Sequence, residues 1–333
     1  MKRFLYYYFI IVAFVVLATT LTSCNKGEDP NSPIPSEQSP QAKAYLTELM
    51  DIMEKNSINR YKIDWVTFRS SVINKVPTAQ TVADTYLGVM AALSFLSDNH
   101  SSFTTPAGYK FMGSTPTAIQ IENIEPPTIP DDVGYVRVTD YAGQTNDASA
   151  IVFASQIQNQ IKQQDHSALK GWIVDLRNNL GGNMWPMLAG IGPILGEGIA
   201  GYFIDPDGNE TSWGVENGAS VMNGYPLTQL SNSYELLAPN PKVAVLLNSA
   251  VASSGEIIAV SFIGRENTKS FGSATRGLST ANSGFMLSDY AILNLTVSYQ
   301  ADRNKKKYGV PINPDMLSRK ETIINDALAW IKN

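Results

Sequence analysis

The chain is 333 residues long, 44% hydrophobic and 17% charged, with a formal net charge of −5. This composition fits a packed globular body of one large or two smaller domains, and its acidic balance argues against nucleic acid as a partner, because phosphate binding needs a basic surface. One cysteine and two histidines exclude an internal disulfide and make a metal site unexpected; no cofactor is implied.

The N-terminus reads as a secretory signal: Lys2 and Arg3, an almost wholly apolar or small run from Phe4 to Leu21, then Leu21-Thr22-Ser23-Cys24. That tetrapeptide resembles the lipobox of bacterial lipoproteins. The resemblance implies removal of residues 1–23, lipidation of Cys24 and anchorage in the bacterial cell envelope. No Asp follows Cys24, so outer-membrane placement, on the periplasmic or surface face, is expected. Residues 24–40 are rich in Pro, Ser and Asn and read as a flexible tether.

From residue 41 apolar side chains recur at helical spacing: Tyr45, Leu46, Leu49, Met50 and Met53, then Val82, Tyr86, Leu87, Val89, Met90, Leu93 and Leu96. Ile63-Asp64-Trp65 starts a helix between them, so residues 41–110 form a helical subdomain ahead of an α/β core over 111–333. In that core, Gly134–Val138 alternates as a strand, and residues 146–164 read as a helix with Ile151, Phe153, Ile157 and Ile161 on one side. Trp172–Leu176 is a second strand, followed by a Gly-rich turn and a helix over 185–195. Tyr202–Asp207 and Thr211–Val215 suggest a hairpin at Asp207-Gly208. Val243–Leu247 reads as a strand buried on both faces, and an apolar helix opens at Ser253. Ala291–Tyr299 is a further strand and Glu321–Ile331 a closing helix. Strands alternating with helices imply α/β architecture.

Three segments carry candidate chemistry. A serine at a strand-to-helix turn, as Ser253 is, can expose a nucleophile at the positive end of a helix. Spacing alone favours a plainer reading, since Ser253-x-x-Glu256 is also a capping box. Gly181 and Gly182 end a strand-to-helix loop in Gly171–Asn183; they fit a tight turn, or backbone N–H groups that approach a ligand. Only His100 and His166 offer an imidazole base for a serine hydroxyl, and each lies in a polar stretch.

These segments, in this order, resemble peptidase family S41, the tail-specific or C-terminal processing proteases and tricorn core peptidases. Gly171–Gly182 resembles the family's D-L-R-x-N-x-G-G strand, Ser253-Ser254-Gly255-Glu256 its nucleophile turn, Phe271–Gly277 its G-x-x-T-x-G segment and Ile312-Asn313-Pro314-Asp315 its I-x-P-D. The similarity spans roughly residues 41–330 and implies a ClpP/crotonase-like α/β core. Leu278 stands where many members carry the lysine of a serine–lysine dyad. Asp98-Asn99-His100-Ser101 instead matches the D-x-H-S/T pattern of the tricorn-like branch, whose base is histidine. No acid stands where that branch places its orienting glutamate; Asp302 is the nearest substitute, while Asp315 belongs to the I-x-P-D element and reads as structural. Between Phe111 and Val133 there is no room for the family's PDZ module.

The resemblance therefore implies a serine endopeptidase acting on envelope or extracellular proteins or peptides. Ser253 is the expected nucleophile, with Ser254 as the rival, His100 the base and Asp302 its orienting acid; the N–H groups of Gly181 and Ser254 form the oxyanion hole. The alternative is a non-catalytic lipoprotein that holds peptides or another envelope partner in the cleft of a peptidase fold.

Overall fold

The structure is a computed structural model that describes residues 37–113 and 118–333. The signal segment, Cys24 and all but the end of the tether lie outside the described residues.

Three helices open the chain: α1 (Pro40–Asn56), α2 (Trp65–Ile73) and α3 (Tyr86–Phe95). Ser39 Oγ accepts from the Ala42 N–H and Asp64 from Val66 and Thr67, so the first two begin on side-chain caps. Strands β1 (Ser102–Thr104) and β2 (Lys110–Met112) follow. The Leu46, Leu49, Met50, Met53 and Leu93 side chains of α1 and α3 share one core with Leu293 and Leu295 of a late strand. Each such fully buried leucine is worth about 1.5–3 kcal/mol.

The middle of the chain alternates. β3 (Gly134–Arg137), α4 (Ala148–Gln164), β4 (Gly171–Asp175) and α5 (Met184–Leu195) precede β5 (Gly198–Ile204), β6 (Glu210–Glu216), β7 (Ala219–Met222) and β8 (Tyr225–Gln229). β9 (Lys242–Leu247), α6 (Ser254–Ser261), β10 (Thr268–Gly272), β11 (Thr280–Met286), β12 (Ile292–Asp302), β13 (Met316–Leu317) and α7 (Ile323–Lys332) complete it. On α4 the buried face is Ala150, Ala154, Ile157, Gln158 and Ile161, while Ile151 and Phe153 are only half-buried. α5 comes close to this face: a Cβ on Gly190 would lie 2.8 Å from Ile157 Cδ1. Residues 118–133 carry neither helix nor strand.

Two sheets result. β13-β10-β9-β4-β3 is wholly parallel. Alternate residues of β9 face opposite layers: Val243, Val245 and Leu247 pack with α4, α5 and α6, while Ala244 and Leu246 pack with α7. That double cover is why the strand reads as an unbroken apolar run. The second sheet, β2-β1-β12-β5-β6-β7-β8 with β11 also on β12, has antiparallel pairings throughout. Its strands β5–β8 and the β2/β11/β12 end form the far wall of a cleft. The near wall is the loops at the carboxyl ends of β4 and β9, the edge where open α/β sheets carry their sites.

Candidate active site

The turn after β9 is held in an unusual conformation. Ser253 has φ 53° and ψ −118°, a region that a residue with a Cβ enters only under strain. Two sets of bonds impose it. The Ala252 N–H donates to the Asn179 carbonyl at 3.0 Å, tying this turn to the one after β4. The Ser253 N–H donates to Glu256 Oε2 at 2.9 Å, so the glutamate holds the helix start from its own side. Glu256 is fully buried and also accepts from the Gly277 N–H at 2.9 Å and from the Thr275 hydroxyl. Burial pushes its carboxyl up to about 7 against the pull of these donors. Thr275 is in turn clamped to Ile312, its Oγ1 accepting from the Ile312 N–H at 2.8 Å. The G-x-x-T-x-G segment thus braces the Ser253 turn.

The turn after β4 is built to the same tolerance. Asp175, fully buried, accepts from Arg177 Nη2 at 2.6 Å and from Tyr135 Oη at 2.8 Å, which pins the start of the loop. Gly181 has φ 98°, and a Cβ there would lie 2.7 Å from the Ala252 carbonyl oxygen and 2.9 Å from the Ser254 nitrogen. Only glycine lets the two turns touch.

The Ser253 hydroxyl points at the imidazole. His100 Nε2 lies 3.0 Å from Ser253 Oγ, within reach for proton transfer between side chains 153 residues apart. Asp98 Oδ1 fixes the segment by accepting from the His100 and Ser101 N–H groups at 2.9 and 2.7 Å, so the first residue of D-x-H-S shapes the loop. Burial lowers His100 to about 4, with Asp98 pulling up and Lys110 pushing down. The imidazole is therefore neutral near pH 7, the form that accepts a proton.

The other ring nitrogen corrects an expectation. His100 Nδ1 lies 2.7 Å from Thr280 Oγ1, on β11. Asp302 is not brought to the imidazole. At the end of β12 its carboxylate accepts from the Asn304 and Lys306 N–H groups at 2.9 and 3.1 Å and from Tyr308 Oη at 2.9 Å, closing its own hairpin. If Nε2 is the acceptor for the serine hydroxyl, Nδ1 carries the hydrogen and donates to the threonine oxygen. Thr280 offered no sequence signal: Thr-Ala-Asn-Ser-Gly has no apolar alternation to mark a strand.

A second correction concerns Gly181. Its N–H already donates to Asn179 Oδ1 at 2.9 Å. The next peptide faces the other way: the Gly181 carbonyl accepts from the Tyr141 N–H at 3.2 Å, and in a trans unit the Gly182 N–H points opposite. Gly182 also lines the cleft. Ser254 is the first residue of α6, where an N–H has no intrahelical acceptor. Its side chain donates to the Gly182 carbonyl at 2.6 Å, so that hydroxyl is already engaged beside the loop.

The remaining candidates lie apart. His166 is exposed, with Nε2 2.9 Å from the Asp131 carbonyl. Asp315 accepts from Ser270 N–H and Oγ, both at 2.8 Å, joining β10 to the I-x-P-D loop. No group of His, Cys, Asp and Glu fit to hold a metal occurs among the described residues. Ser253 and His100 open onto a cleft of about 1430 Å³, lined also by Leu180, Met184, Trp185 and Phe203 and by Lys110, Met112 and Phe285.

Comparison with known proteins follows the same lines. Residues 132–318 match the model of peptidase family S41. A nisin-resistance protein of Lactococcus lactis subsp. lactis is 25% identical over 295 residues, 88% of each chain. A carboxyl-terminal-processing protease of Synechocystis is 24% identical over 202 residues, 60% of this chain and 40% of that one. Among solved structures, a lipoprotein from Streptococcus agalactiae superposes with a TM-score of 0.70 at 26% identity, over 88% of this chain and 97% of that one.

Proposed function

We propose that this chain, which belongs to peptidase family S41, is a serine peptidase in which Ser253 is the nucleophile and His100 the general base. The single observation that carries the reading is the 3.0 Å approach of His100 Nε2 to Ser253 Oγ at a strained turn facing an open cleft. A binding-only lipoprotein would have no need of that pairing.

The chemistry runs from this geometry. Ser253 Oγ attacks the scissile carbonyl carbon as its proton passes to His100 Nε2, forming a tetrahedral intermediate. The negative oxygen is met by the N–H groups of Ser254 and Gly182; a single such donor is worth about 3–4 kcal/mol at the transition state. His100 then gives its proton to the leaving amine, and the acyl-enzyme forms. Water repeats the sequence: His100 takes its proton, the oxygen adds to the acyl carbon, and Ser253 leaves with the proton restored. Thr280 orients the ring by accepting from Nδ1–H. A hydroxyl carries no charge to stabilise imidazolium, which accords with the low basicity that burial gives His100.

The substrates are proteins or peptides of the envelope or its surroundings. The nisin-resistance relative and the lipoprotein of similar fold support an envelope setting, as does the lipobox-like sequence ending at Cys24. In that setting the lipid on Cys24 and the tether hold the enzyme at the membrane, with outer-membrane placement the expected one.

The test is hydrolysis of denatured casein by the wild type, Ser253→Ala and His100→Ala. Activity in the wild type and its loss in both variants is the expected result; equal activity in all three would overturn the assignment.

A further inference from the structure

The cleft differs in charge from the rest of the molecule. The chain as a whole carries −5, yet the cleft is lined by Lys55, Arg60, Lys110 and Arg276 against only Asp205 and Asp207. Both of those carboxylates lean on one cation: Arg60 Nη2 lies 2.5 Å from Asp207 and 3.6 Å from Asp205. Lys110 makes no ion pair with a carboxylate of the described residues, the salt bridges there being formed by other cations. It is exposed on β2, opposite Thr104 of β1, the strand that follows His100.

Its position fixes which half of a substrate it meets. His100 must hand its proton to the leaving amine, so the residues beyond the scissile bond lie beside the imidazole. Those before the bond run past the Ser254 and Gly182 N–H groups, on the wall formed by the loops after β4 and β9, where Met184 and Trp185 also line the cleft. Lys110 lines the cleft from β2, which pairs with β1, the strand that continues from the His100 segment; it therefore stands on the imidazole's side, the leaving side.

We propose that Lys110 is a specificity-determining residue that pairs with a carboxylate on the leaving-group side of the scissile bond, supplied by an acidic side chain or by the substrate's own C-terminus. This rests on the peptidase reading above and deepens it. Local positive potential in a low-dielectric cleft raises both the capture and the retention of such a group.

The test uses three quenched fluorescent peptides that share one sequence before the bond. Beyond it the first carries a Glu with an amidated end, the second a Gln with a free carboxylate end, and the third a Gln with an amidated end. The readout is the ratio of kcat/KM for each acidic peptide to that for the neutral one, which cancels any general effect of a variant on the imidazole. A ratio of about five is expected from one partly exposed ion pair, falling to about one in Lys110→Gln, below one in Lys110→Glu, and kept in Lys110→Arg. A high ratio for the Glu peptide alone assigns a side chain, and for the free-ended peptide alone the terminus. Cleavage of all three at equal rates by the wild type would overturn this inference and leave the peptidase reading intact, as would a preference that Lys110→Gln retains. Turnover of none of them, with no labelling of Ser253 by a fluorophosphonate, would overturn both.

Discussion

The two halves of the site are made in different ways. The nucleophile side comes from the parallel sheet, and nearly every group in its turns is tied to a neighbour: Glu256 to the Ser253, Gly277 and Thr275 donors, Asn179 to the Ala252 and Gly181 N–H groups. The base side comes from an irregular segment between the helical unit and β1, with Ser97 and Asn99 both at φ 55°. It is steadied by Asp98 below and by one threonine hydroxyl at Nδ1. The strained Ser253 turn is over-determined by its surroundings, whereas the His100 segment is held by a few contacts that single substitutions can remove.

The largest expected effects fall on the reacting pair. Ser253→Ala and His100→Ala should each lower kcat by about 10⁴-fold or more, and the double variant should be no worse than either alone, because members of one catalytic unit are not additive. Ser254→Ala should retain turnover. Clear additivity of the two losses would show that the side chains act separately.

Next comes the packing of the two turns. Gly181→Ala places a Cβ 2.7 Å from the Ala252 carbonyl oxygen at a positive φ, so it should destabilise the fold by several kcal/mol and abolish activity even where folded protein is recovered. Glu256→Gln puts an amide NH₂ among N–H and O–H donors, and a loss of about 1–3 kcal/mol in denaturant unfolding is expected. An unchanged midpoint would mean that the nucleophile turn does not depend on this carboxyl.

The base side should give milder losses. Thr280→Val removes the acceptor for Nδ1–H, and a ten-fold fall in kcat with little change in KM is expected, restored by Thr280→Ser; ten-fold is about 1.4 kcal/mol, the net worth of such a bond. The acidic limb of kcat/KM should lie near pH 4 rather than near 6.5, since the base works only when neutral and burial lowers it. Activity is then kept at pH 5–6 and lost as pH falls through about 4; a limb at 6.5 or above would contradict the buried imidazole.

The smallest effect is expected at Asp302. Asp302→Asn keeps an oxygen for the Asn304 and Lys306 N–H groups and should change kcat/KM by less than about two-fold. An orienting carboxylate would instead cost about 10⁴-fold, so one rate measurement separates Thr280 from Asp302 as the support of the ring.

The same contrast explains what the sequence reveals. The β9 run is apolar because both faces are covered, and the turn after it declares itself through Ser253, Glu256 and the small residues between. His100 emerges from the likeness of Asp98-Asn99-His100-Ser101 to a family pattern, not from periodicity. Thr280 stays hidden because β11 is a polar strand whose residues pair through the backbone with β12, a tertiary choice that local composition does not mark. Asp302 misleads for the opposite reason: an acid near the expected position is drawn to the backbone of its own turn, a frequent use of aspartate. Likewise the glycine pair is legible, but which of its two N–H groups faces the cleft depends on Asn179 and Tyr141, which the spacing does not reveal.

The most direct test of the central claim is labelling by a fluorophosphonate probe, followed by identification of the modified residue in wild type, Ser253→Ala, Ser254→Ala and His100→Ala. A single adduct on Ser253 is expected in the wild type, retained in Ser254→Ala, absent in Ser253→Ala and strongly slowed in His100→Ala. An adduct on Ser254, or labelling of Ser253 at the same rate without His100, would contradict it.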